Sequence, residues 1–125
     1  MVIGITNWHG SISPVFDVSA NLCIVETHDG VAANRRNILL KSQEPFGKAR
    51  EIKEQGVELL MCGAISRRFE YALVSNGIRV ISFICGNIEH IIKDFVKGDA
   101  LDNNFLMPGS YGKGRRYRFR KGHGK

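Results

Sequence analysis

Cys62, Cys85 and His9 are the residues of this chain whose types suit a soft metal or a metal-sulfur ligand. Cys62-Gly63 and Cys85-Gly86 each follow an apolar run, and His9 follows Trp8 in a segment without regular pattern, so three strand ends could bring them to one crevice. No CxxC or HxxxH spacing occurs, which argues against a closed structural metal site. A second pattern concerns anions. Ser66 has the character of a helix N-cap, and Arg67 and Arg68 follow it in the first turn, where the positive end of the helix dipole disfavours cations. An anion held by the two guanidiniums and by the backbone N–H groups of residues 63 to 67 would remove that conflict. Ser13 and Trp8, from the irregular loop Asn7 to Phe16, would cover it. The plain alternatives are three small buried cysteines and a solvated arginine pair.

A third group lies at the C-terminal end. GKGRRYRFRKGHGK interleaves Arg115, Arg116, Arg118 and Arg120 with Tyr117 and Phe119, a composition that suits single-stranded nucleic acid or an acidic partner protein. The formal net charge of +6 belongs to this tail. Residues 1 to 112 hold 11 Lys plus Arg against 12 Asp plus Glu, a net of −1, whereas residues 113 to 125 hold 7 basic residues and no acid. Other chemistries are weakened by what the strand ends lack. Val-Ile-Gly-Ile-Thr-Asn-Trp and Leu-Leu-Met-Cys-Gly-Ala offer no carboxylates to hold Mg²⁺, and no Walker loop, nucleophile elbow or GxGxxG fingerprint occurs. Those enzyme readings are weakened accordingly.

These residues must be positioned by regular elements. With 125 residues, 43% of them hydrophobic and 24% charged, the chain is expected to form one domain over residues 1 to 107 with a basic Gly/Arg-rich tail over 108 to 125. No apolar run suits a membrane span and no secretory leader is visible, which, with three cysteines inside apolar runs, predicts a cytoplasmic protein. Val2 to Thr6 and Leu22 to Thr27 read as strands, Asp29-Gly30 as a hairpin turn, and Val31 to Lys41 as an edge strand. After Lys41 helix alternates with strand. Pro45 opens a helix that Gly56 closes, Val57 to Cys62 is a buried strand, Ser66 caps a helix that Gly77 stops, and Ile78 to Ile84 is a further strand. Asn87 then caps a helix with Ile88, Ile91, Ile92, Phe95 and Val96 on one face, ended by Gly98. The order βββαβαβα predicts a ribonuclease H-like α/β layout, a mixed five-stranded sheet with helices on both faces. Ligands in such sheets sit outside the carboxyl ends of the parallel strands, where the loops carrying His9, Cys62 and Cys85 meet.

The chain also resembles the dinitrogenase iron-molybdenum cofactor biosynthesis family, the small nitrogenase-accessory and orange-protein relatives. The resemblance spans nearly the whole chain and is carried by IGIT, ISPVFDVSANLCIVE, GVELLMCGAISRRFEYALVSNGIRV, CGNIEHIIKDFVKGD and NNFLMPG. It implies a ribonuclease H-like fold and a non-catalytic role in binding or carrying iron-molybdenum precursors or other metal-sulfur clusters. Donor and acceptor proteins for such a cluster would be its partners. Two departures stand out: Val15 occupies the place of a frequent family histidine, and Ser110 follows Met-Pro-Gly where many single-domain relatives have cysteine.

Overall fold

The computed structural model describes residues 1–97. Strand β1 (Val2–Trp8) lies at the centre of a mixed sheet with β3 (Asn21–His28), β4 (Val31–Leu39), β5 (Leu59–Met61) and β6 (Arg79–Ile81) in the order β4-β3-β1-β5-β6. Strands β5 and β6 run parallel to β1, and β3 antiparallel to it. The expected order βββαβαβα is thus observed, with α1 (Pro45–Glu54), α2 (Arg67–Ser75) and α3 (Ile88–Val96) as its helices. None of the described helices is long and apolar enough to cross a membrane.

The period-two alternation of β1, β3 and β5 divides the core between two faces. Ile3, Ile5, Cys23, Val25, Leu59 and Met61 meet Ile88, Ile91, Ile92 and Phe95 of α3 on one face. Leu22, Ile24, Leu60 and Cys62 meet Ala49 and Ile52 of α1 and Phe69, Ala72 and Leu73 of α2 on the other. The helices end where left-handed backbone becomes necessary, at Gly56 (φ 83°) and Gly77 (φ 79°). Asp29-Gly30 makes the tight turn before β4, with φ of 50° and 79°.

Two features differ from the expectations above. The parallel strands β5 and β6 are shorter than their apolar runs, because Cys62 and Ser82 to Ile84 leave the ladder and bond crosswise instead. Cys62 N donates to Ile81 O, Ile84 N to Cys62 O and Phe83 N to Gly63 O. The loop after β1 is also not irregular. His9 and Gly10, with φ of 54° and 88°, form a two-residue turn into a short strand β2 (Ser11–Ile12) that pairs with the end of β1.

Candidate functional site

Residues 11–18 form a strap across the carboxyl ends of β1 and β5. Its start belongs to the α3 side, where Ile12 is buried in that core, and its end to the other side, where Phe16 is buried. Each half is stitched to one of the two Cys-Gly loops. Ile12 N donates to Gly86 O at 3.0 Å and Ile88 N to Gly10 O at 2.9 Å, while Ser11 and Asn87 form an antiparallel bridge. Further on, Ala64 N donates to Pro14 O at 2.8 Å and Phe16 N to Ala64 O at 2.7 Å. Gly63 is required by this second seam, since a Cβ there would collide with the carbonyl oxygens of Ser13 and Pro14.

The strap corrects the picture of one crevice open to both cysteines and His9. Cys62 is fully buried among Phe16, Phe69 and Leu73, and burial, reinforced by the Glu70 and Asp17 carboxylates, pushes its thiol well above the usual range. Such a thiol is neither solvent-exposed nor poised as a thiolate. His9 stands on the exposed β1–β2 turn with Trp8 edge-on at 4.6 Å, and Cys85 is half-buried at the entrance to α3. Among the described residues, no three His, Cys, Asp or Glu side chains converge as a metal would require. The trio is therefore not assembled. Ser13 is buried within the strap and Gly63 beneath it, whereas Trp8 remains 60% exposed and Gly86 half-buried.

The α2 start differs from expectation in a more informative way. Ser66 caps the helix as read, accepting from Phe69 N at 3.5 Å. Its own backbone N–H, however, donates to Asp17 Oδ1 at 3.1 Å, and Ala64 N is used by the strap. The protein's own carboxylate thus takes part of the amide cradle expected for an external anion. What stays available is the pair of guanidiniums, since Arg67 and Arg68 are exposed and neither forms an ion pair with another described residue. Val15, at the place of the frequent family histidine, bridges Ala64 and is 41% exposed beside that helix start.

Two functional candidates escape sequence reasoning. Phe83 adopts the left-handed region at φ 63°, a conformation that disfavours bulky residues by about 1–2 kcal/mol, and its N–H bond to Gly63 O holds it there. Lys48 of α1 is completely buried, its Nζ donating to Phe16 O at 2.8 Å and Asp17 O at 3.2 Å beneath the strap. A signal for Lys48 does exist, because it stands at the second position of the stripe Pro45, Lys48, Ala49, Ile52, where spacing calls for an apolar residue. The candidates Arg115, Arg116, Tyr117, Arg118, Phe119 and Arg120 lie outside the described residues.

Comparison with known proteins places these observations in a family. The profile described as dinitrogenase iron-molybdenum cofactor matches residues 1–98. The crystal structure of the protein PH0822 is similar over 78% of this chain and 92% of that one, with a TM-score of 0.72 and 24% identity. The Methanocaldococcus jannaschii protein MJ0327, a candidate dinitrogenase, is similar in its crystal structure over 78% of this chain and 89% of its own (TM-score 0.62, 22% identity). A candidate NifB protein from Thermotoga covers 86% of this chain and 97% of its own, with a TM-score of 0.61 and 18% identity. At these identities the likenesses establish the shared fold. No curated protein matches the sequence.

Proposed function

Because the chain belongs to the dinitrogenase iron-molybdenum cofactor family, we propose that it is a non-catalytic carrier or scaffold for an anionic metal-sulfur cluster or an iron-molybdenum cofactor precursor, received from a donor protein and passed to an acceptor. The observation that carries the reading is the exposed Arg67–Arg68 pair at the start of α2, which no described carboxylate neutralises in an ion pair. Two cations beside the positive end of a helix repel each other and the dipole, and a polyanionic cargo relieves both conflicts. His9 and Cys85, at the other end of the strap, are the candidate metal contacts, and Trp8 offers an exposed aromatic wall next to His9. Cys62 drops out of the ligand set by its burial.

The test is anaerobic titration with tetrathiomolybdate, and reconstitution with iron, molybdate and sulfide, followed by charge-transfer absorption and by the fluorescence of Trp8, the sole tryptophan. Arg67→Ala with Arg68→Ala should weaken loading by tenfold or more, Cys85→Ser or His9→Ala should alter the band, and Cys62→Ser should leave it unchanged. A protein that develops no band, or whose band ignores both arginines, would remove the reading.

A second reading, which the cargo role does not require, concerns residues 113–125. Seven basic residues without an acidic one, interleaved with Tyr117 and Phe119, favour binding of single-stranded nucleic acid or of an acidic protein.

A further inference from the structure

A lysine in the middle of an apolar cluster is a costly choice unless its ammonium does something that a methionine of similar volume could not. The Lys48 ammonium sits over the rings of both Phe16 and Phe69, with Nζ 4.6 Å and 5.5 Å from their centroids. It donates to two successive carbonyls, Phe16 O and Asp17 O, so both point down into the core. The Phe16 carbonyl also receives Ser19 N at 3.0 Å, which closes the 3-10 turn Phe16–Val18 around it. On the other side of the turn, the Asp17 carboxylate reaches the Ser66 amide.

We propose that Lys48 is a positioning residue, which acts through the Phe16–Val18 turn and Asp17 to fix the start of α2 and the exposed arginines it carries. Each step is a hydrogen bond of ordinary length: α1 to strap through Nζ, strap to α2 through Asp17 Oδ1 and through Phe16 N on Ala64 O. The path connects the first turn of one helix to the N-cap of its neighbour without passing through the α1–α2 side-chain interface. Lys48 would touch no cargo. Its bearing on cargo rests on the carrier reading above, whereas its bearing on the strap does not.

Amide hydrogen exchange separates the two. In the full-length protein, Lys48→Met should speed exchange at Ser66 and across residues 16–19 by tenfold or more, while core strand amides such as those of Ile24 and Leu60 change by less than threefold. Asp17→Ala should speed exchange at Ser66 likewise, and the double variant should add little to either single change, because both break one path. A uniform rise across the core, or an unchanged Ser66, would overturn the proposal. Lys48→Leu, which likewise removes the donor, serves with the same criteria if Lys48→Met does not fold. Tetrathiomolybdate titration forms the second arm, in which Lys48→Met should weaken binding at least fivefold. Failure of the wild-type protein to bind the probe counts against the carrier reading alone, since the exchange pattern decides the role of Lys48 by itself.

Discussion

The Lys48 ammonium carries its charge against the preference of its surroundings. Burial lowers its pKa below the ordinary lysine value of 10.5, opposed by the nearby Asp17 and Glu51 carboxylates. Below the folded pKa both folded and unfolded chains are protonated, and the folded state bears the full cost of the buried charge. As pH rises from the folded pKa to 10.5, the folded protein loses this proton first, so the unfolded state binds more protons and stability increases. Lys48 therefore adds a positive slope to stability against pH in the alkaline range, of at most about 1.4 kcal/mol per pH unit for one proton. Urea unfolding of wild type and Lys48→Met between pH 8 and 10.5 checks this. The difference between the two slopes isolates Lys48 from the cysteines and tyrosines that titrate in the same range, and a zero or negative difference contradicts the account. Residue types alone hide this behaviour, because a lysine within a helix reads as solvated, whereas a cysteine at a strand end reads equally as a ligand or as a small buried hydrophobe. Burial reverses the reading of Lys48 and decides that of Cys62, because α1 turns Lys48 toward the core and Cys62, just after β5, falls in the same cluster of buried residues as α1 and α2.

At the scale of elements, local rules and structure agree well. Pro45, Ser66 and Asn87 stand where helix starts require them, and the five apolar residues read on one face of the last helix cover the sheet. The two side-chain caps are unequal in geometry. Asn87 Oδ1 accepts from Glu89 N at 2.8 Å and from His90 N at 3.4 Å, whereas Ser66 Oγ accepts only from Phe69 N, at 3.5 Å. Asn87→Ala should thus cost about 1 kcal/mol, toward the middle of the range for lost caps, and Ser66→Ala only a few tenths. The Asn87 seam also holds β2, so the larger loss should come with faster amide exchange at Ile12 and Ile88, which bond to Gly86 O and Gly10 O. Equal costs from paired urea titrations would mean that the cap distances do not govern these helix starts. The strap is less legible in the sequence. Two-residue strands such as Ser11–Ile12 give no periodic signal, although His9-Gly10 between Trp8 and Ser11 was a readable turn cue, and the strap's seams join residues about fifty to seventy-five positions apart.

For the whole molecule, the division of charge separates two modes of binding. The chain has a net charge of +6, but residues 1 to 112 contribute −1 and residues 113 to 125 contribute +7. On the edge strand β4, Arg35 makes a bidentate pair with Glu89 at the start of α3, and Arg36 meets Glu26 of β3. Both pairs are half-exposed and contribute at most about 1 kcal/mol each, so they serve mainly to keep a nine-residue open strand edge charged and unattractive to other edges. The excess positive charge that would attract a polyanion at long range lies in residues 113 to 125. If this tail engages a single strand through all seven cations, the logarithm of the binding constant should fall against the logarithm of salt concentration with a slope near −5, taking about −0.7 per neutralised phosphate. Truncation after Gly112 should abolish that slope. Loading of tetrathiomolybdate at Arg67 and Arg68 should persist in the truncated protein and show a much shallower salt dependence, because only two cations contribute. Retention of a steep slope after truncation would place nucleic-acid binding within residues 1 to 112, and loss of cargo loading would make the tail part of the cargo site.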